Sequence, residues 1–555
     1  MTLMRPHQRH LPSRGEAMRL TLSHRYLHLP VRDGAPKRRV RLLDGERVVY
    51  AFDVELAQGE PDFWVSADLA PWQGQELILD LDGDPAAPEL ELLVPSDQPA
   101  GAQDAYQEPL RPWFHFTSLR GWNNDPNGLL YFEGEYHLFY QHNPFGRRWG
   151  NMHWGHAVSG DLVHWQELGE ALWPDEMGTM YSGSGVVDWD NTSGLGEDGQ
   201  PPLICLYTAA GGRSPESQGQ PFTQCLAYSN DRGRTWTKYA GNPVLAHVAG
   251  DNRDPKVIRH PQTGRWVMAL YLEGNTYGIF SSEDLLSWRE ESRLEVEGGR
   301  ECPDLFPLPL DGDPEQIKWV FWTAGGTYLV GDFDGRVFRP EGGVRHFCPG
   351  GDAYAAQTWS DAPGGRRLQI AWLRGDIPGT PFNQMMTFPV ELELRAVGEG
   401  PRLFARPVRE IALLYRESYS WPQWPLKELA AVNAALSAEA YHLRAKVDAS
   451  GSWRIGLRGV PLAYDARTGE FSVGECRVPF AGTRPVTVEV LLDRTSLEVF
   501  VDEGRLYFAL SQVFSPLEEV PLLEGEGEGR ASLEAYELGP SWEGGQDLSA
   551  CVHPR

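Results

Sequence analysis

SGDLVHW (Ser159–Trp165), SNDRGRTW (Ser229–Trp236) and SEDLLSW (Ser282–Trp288) are one short pattern written three times. In each, an acid follows the serine by two residues, and a tryptophan follows the acid by four or five. The tryptophans stand 71 and then 52 residues apart. A polar turn set ahead of a buried Trp, recurring at roughly 50–70 residues, matches one turn per four-stranded blade of a β-propeller.

The flanking sequence agrees. GLLYFEGEYHLFYQ, YSGSGVVDWD, RWVMALYLEG, KWVFWTAGG and RLQIAWLRG are runs of aliphatic and aromatic residues with period-two alternation, broken by turn-formers such as EG, GG and DG. Helical periodicity is nearly absent; LKELAAVNAAL is the best helical candidate. The expected fold class is all-β: a five-bladed propeller over residues 106–405, then a linker over 406–434 and a C-terminal β-sandwich over 435–545. Upstream, residues 19–105 form a separate alternating block, read as a small N-terminal sandwich-like domain. PSDQPAGAQDAYQEP marks its boundary. Residues 1–18 read as an unstructured extension.

Composition narrows the function. The net charge of −27 repels phosphate backbones and anionic lipid, which disfavours nucleic-acid and membrane partners. The six cysteines form no CxxC or Cys/His cluster, and their scatter fits free thiols. The polar, basic N-terminal stretch has no secretory apolar run, so a cytoplasmic location is expected. His153, His156 and His164 have irregular spacing for a metal centre, so no metal is expected. The 20 Trp, 20 Tyr and 22 Phe residues suit both sheet packing and sugar stacking.

Within GWNNDPNGLLYFEGEYHLFYQHNP, the segment WNNDPNG (Trp122–Gly128) resembles the WMNDPNG signature of glycoside hydrolase family 32, the invertases, inulinases and levanases. Asn123 replaces the usual apolar residue. Further family-like blocks follow in order: YQHNPFGRRWGNMHWGHAVSGDLVHW, YSGS (Tyr181–Ser184, where FSGS is usual), RDP (Arg253–Pro255), EC (Glu301, Cys302), WLR (Trp372–Arg374) and LLDRTSLEVFVDEG. The resemblance implies a retaining β-fructofuranosidase that needs no cofactor. Asp125 is the implied nucleophile, Glu301 the acid/base, and Asp254 the carboxylate that stabilises the transition state. Trp122, Asn123, Asn124, Gln141, Trp149, Tyr181, Ser182, Arg253 and Trp372 are the implied substrate contacts.

The residues themselves agree with that chemistry. Cleavage of a glycoside with retention takes two carboxyl groups about 5–5.5 Å apart, one ionised and one protonated. A propeller brings inner strands that are remote in sequence to one axis, so Asp125 and Glu301 can meet there. Cys302 reads as structural, since no cationic neighbour is visible to make a thiolate. The expected substrate is a fructan such as levan or inulin, or sucrose. Alternatives are a fructosyltransferase on the same scaffold, a sucrose-specific invertase, a non-catalytic sugar-binding propeller, and a sialidase, which needs an Arg cluster and a Tyr nucleophile.

Overall fold

In the computed structural model the three turns close identically. The serine hydroxyl donates to the aspartate at 3.1, 2.7 and 3.0 Å (Ser159–Asp161, Ser229–Asp231, Ser282–Asp284). The aspartate then accepts backbone N–H groups, as from Val163 and His164 at 3.0 and 2.8 Å. Leu162, Gly233 and Leu285 take positive φ of 69°, 78° and 65°, and the carbonyl each one presents accepts the Nε1–H of Trp165, Trp236 or Trp288 at 3.0–3.1 Å. Each turn joins the third to the fourth strand of a blade. A fourth copy was not visible in the sequence pattern. Asp334 accepts from Arg336 and Val337 at 2.9 and 2.8 Å, Gly335 has φ of 86°, and Phe338 stands where the tryptophan stands elsewhere.

The structure describes residues 18–347, 350–482, 484–515 and 522–542. Of the expected extension 1–18, residues 1–17 lie outside these; Met18 opens the first strand. The propeller has five blades. From the axis outward, blade 1 holds Gly121–Phe132, Glu135–Asn143, His153–Ser159 and Gln166–Leu172. Blades 2, 3 and 4 begin with the inner strands Thr179–Val187, Arg253–Arg259 and Asp304–Leu310. Blade 5 holds Ala353–Thr358, Leu368–Leu373, Val390–Val397 and Gly400–Pro407. The ring closes where Ser360 bridges Leu130 in parallel and Phe382–Asn383 pairs with the inner strand of blade 1. Middle strands covered on both faces read as unbroken apolar runs, such as Leu203–Ala210, every residue of which is buried.

Two sheets packed face to face make the C-terminal sandwich. Part of the expected linker 406–434 belongs to it. Tyr415–Pro425 is an edge strand paired with Arg530–Leu538, and Leu426–Ala435 is a 3-10 helix. Pro422 and Pro425 sit on that edge strand, where proline is tolerated.

A fully buried ionic clamp joins propeller to sandwich. His115 Nδ1 lies 2.8 Å from Asp493 Oδ2 and Nε2 lies 2.7 Å from Glu498 Oε1, all three side chains 0% exposed. Asp493 also accepts from the N–H groups of Trp113 and Phe114, and Glu498 from Phe388 N–H and Tyr507 O–H. Burial alone lowers the imidazole pKa, but the two carboxylates outweigh it and raise it to about 9.

The N-terminal domain is a second unit, built of a four-stranded and a three-stranded sheet. It takes in two later pieces of chain, residues 120–122 and 143–151, a departure from the expected boundary at 105. Phe145 stacks on Phe52 with centroids 3.7 Å apart, and Asn151 exchanges two 2.8 Å hydrogen bonds with the backbone of Asp53.

Candidate active site

The inner strands of blades 2, 3 and 5 each break register near their starts: between Tyr181 and Gly183, Arg253 and Lys256, and Tyr354 and Gln357. A bulge turns a side chain away from the face that alternation assigns it. In blade 2, the strand presses so close to its neighbour that a Cβ on Gly183 would lie 1.9 Å from Leu206 O; only glycine fits. In blade 3, Asp254 is held at φ 63°, a conformation costly for a side-chain-bearing residue. Its N–H donates to Thr208 Oγ1 at 2.9 Å, and Thr208 donates onward to Gln224 at 2.7 Å.

Three carboxyl groups meet at these breaks. Asp125, on the inner strand of blade 1, accepts from Ser182 Oγ at 2.6 Å and from Asn124 Nδ2 at 3.1 Å. The Cys302 thiol lies 3.4 Å from both Asp125 Oδ2 and Asp254 Oδ2. Cys302 N–H also donates to Asp254 Oδ2 at 3.1 Å. Glu301, in the loop entering blade 4, accepts from Arg253 Nη2 at 2.7 Å on one oxygen and from Tyr354 O–H at 2.7 Å on the other. Arg253 Nε is 3.6 Å from Asp254, so one guanidinium serves two acids.

Burial raises the Asp125 pKa, with the Glu301 charge adding to it and the Ser182 and Asn124 donors opposing it. Burial likewise lifts Asp254 to about 7; Arg253 pulls it down, while Glu301 and Asp125 push it up. Burial and the same three acids raise the Cys302 thiol well above its ordinary range, which keeps it protonated. It is therefore a neutral donor wedged between two acids, a role beyond the structural one read from sequence. Tyr354 and Thr208 carry no motif in the sequence, and the bridging position of Cys302 in the EC block shows only in the folded chain.

The remaining expected contacts divide. Ser182, Arg253 and Asn124 touch the carboxylates as above. Trp372 meets Tyr354 edge-on at 6.1 Å and donates to Gln384 at 3.0 Å. Tyr181 is partly exposed, with its ring against Phe222 at 5.5 Å. Gln141 is buried and donates to Met180 O at 2.8 Å. Asn123 is fully enclosed and its amide oxygen accepts from Ser118, so it offers no exposed surface. Trp122 and Trp149 lie in the segments that pack with the N-terminal domain, and Trp149 is half exposed. Among the described residues no group of three or more His, Cys, Asp or Glu side chains is arranged to hold a metal ion. His137 and His156 pair at 3.0 Å, and His164 pairs with Asp161 at 2.8 Å.

Further along the same inner strands the bore is tied shut. Buried Lys256 lies 3.2 Å from buried Asp304 and donates to Thr358 O at 2.7 Å, while Thr358 N–H donates to Asp304 at 2.6 Å. Gln357 donates to Gly183 O at 3.0 Å and Ser184 to Pro255 O at 2.8 Å.

Residues 115–407 match the model of the glycosyl hydrolases family 32 N-terminal domain. A "Levanase" of Bacillus subtilis (strain 168) is 38% identical over 453 residues, covering 72% of this chain and 66% of that one. An "Extracellular exo-inulinase inuE" of Aspergillus niger is 36% identical over 355 residues, covering 54% and 65%. The crystal structure of an exo-inulinase from Aspergillus awamori superposes with a TM-score of 0.70 at 28% identity, covering 79% of this chain and 100% of that one. The chain spans about half to two thirds of the length of the curated relatives it matches. Among the described residues no helix is long and apolar enough to cross a membrane.

Proposed function

Because the chain belongs to glycosyl hydrolase family 32, we propose that it is a retaining β-fructofuranosidase that releases terminal fructofuranosyl units from fructans such as levan or inulin, and from sucrose. One observation supports this reading: Asp125, Asp254 and Glu301, from three parts of the chain, are linked through Cys302 and Arg253.

Asp125 attacks the anomeric C2 of the fructosyl unit. As the C2–O bond breaks, Glu301 gives its proton to the leaving oxygen; fructose remains esterified to Asp125 and Glu301 is left ionised. Arg253 and Tyr354, both donors, suit that ionised form. Glu301 then takes a proton from water as the water oxygen attacks C2, freeing fructose with its configuration retained. Asp254 accepts from ring hydroxyls, and those bonds strengthen as positive charge builds at the ring.

The test is incubation with sucrose, raffinose, inulin and levan, with chromatography of the products and NMR of the first anomer released. Fructose of retained configuration is expected. No fructose from any of the four, or fructose of inverted configuration, would overturn the reading. Longer saccharides in place of fructose would assign a transferase.

A further inference from the structure

At the opposite mouth of the propeller the same inner strands end around a second cavity, of about 230 Å³. It opens where Val187, Arg259 and Pro307 leave the axis. Arg259 lies five residues beyond Asp254 on one strand, roughly 17 Å away at the ~3.3 Å rise of a β-strand. The buried Lys256–Asp304 pair belongs to the intervening stretch, so nothing bound in this cavity reaches the carboxyl groups.

Its lining resembles neither core nor ordinary surface. Trp189 is 56% exposed, although its Nε1–H is already engaged by Asp361 at 3.1 Å; its ring face is what it offers. Trp266 is buried and its ring is covered by the Arg259 guanidinium at 4.9 Å, which Asp190 holds at 3.2 Å, so on that side the guanidinium is the planar surface. Arg367 also lines the cavity, and its Nε is shielded from solvent with no hydrogen-bond partner in the structure. Two arginines and two aspartates leave no net charge, so an anion or a cation gains little here. One exposed indole face beside planar donors and acceptors matches a ring with apolar C–H faces and a rim of hydroxyls. The cavity has room for a short stretch of saccharide and not for a folded partner.

We propose that this cavity is a non-catalytic binding site for a neutral saccharide, a segment of the same fructan whose end enters the catalytic funnel. The identity of the polymer rests on the function proposed above; the existence of the site does not. Holding a chain at the far mouth raises the local concentration of its ends at the funnel.

Native electrophoresis in gels cast with levan, inulin or dextran tests it, using Asp125→Asn protein so that the polymer survives. Levan or inulin should retard this protein. Adding Trp189→Ala or Arg259→Gln should cut the retardation roughly fivefold, the loss expected for one stacking or planar contact. In otherwise wild-type protein, either change should raise KM for the polymer while kcat/KM for sucrose stays unchanged, which also reports intact folding. Retardation and polymer KM unmoved by both variants would overturn the site, as would equal retardation by dextran. Failure of wild-type protein to release fructose from any substrate would instead overturn the proposed function, leaving the retardation result to stand on its own.

Discussion

In the clamp around His115, two carboxylates face one cation and every oxygen has a donor; at the funnel, where the inner strands begin, three carboxyl groups gather and only two of them share one arginine. Both clusters are assembled from residues remote in sequence. In the clamp the imidazole is driven up and Asp493 down, each holding the other charged. In the funnel, Asp125 and Asp254 are both driven up. Balanced charge is what a structural joint needs. Unbalanced charge is tolerated only where a ligand will spend it, and it is a strain the rest of the fold must carry.

Five experiments bear on that contrast. Asp125→Asn should lower fructose release on the order of 10⁴-fold, yet its melting temperature should hold or rise, because one of the crowded acids is gone; a lower melting temperature would deny the strain. Glu301→Ala should slow substrates with poor leaving groups by about 10²–10⁴-fold and activated aryl fructosides far less. Equal losses in the two classes would remove Glu301 as the proton donor. In the clamp the same kind of change should act oppositely: Asp493→Asn leaves an imidazolium short of a partner and should cost about 3–5 kcal/mol in denaturant unfolding.

The pH dependence separates the two clusters again. His115 has a folded pKa raised from 6.5 to about 9, so its stabilisation is full below pH 6.5 and is lost as pH rises through 9. Asp254 has a folded pKa raised from 3.8 to about 7. Its contribution is therefore present below 3.8 and declines as pH climbs towards 7. Melting curves of Asp254→Asn should flatten in the lower window and keep the upper loss; no change in the lower window would refute the assignment. The smallest effect is expected from Cys302→Ala. Loss of one weak donor, worth about 1 kcal/mol, should reduce kcat by less than about tenfold and shift the acid limb of the rate profile. An unshifted limb would leave the thiol as packing alone.

The propeller was legible because Trp165, Trp236 and Trp288 repeat a hydrogen-bonded turn that chemistry alone can spell. The fourth copy escaped because Asp332 and Phe338 occupy the serine and tryptophan positions; backbone N–H groups around Asp334 need neither. Asp125, Asp254 and Glu301 were named from their motifs, and the fold brings the three together. Tyr354, Thr208 and the bridging position of Cys302 were not, since a bulge is a property of two strands and leaves no mark on one. The membership of residues 143–151 in the N-terminal unit was hidden for the same reason: Phe145 against Phe52 is a contact between segments, and neither segment announces it. Asn123, named from the same motif, lies fully enclosed in the folded chain, and burial of that kind cannot be read from a motif.

The cross-bonds made by Lys256, Asp304 and Thr358 have a bearing on traffic. On the function proposed above, a saccharide whose end reaches the three carboxyl groups cannot thread onward past these bonds. Sliding forward along a polymer through the axis would have to break them, so on that function each cleavage should be followed by withdrawal and re-entry. Accumulated monosaccharide therefore stands in the path of the next chain, so turnover should slow competitively as product builds up.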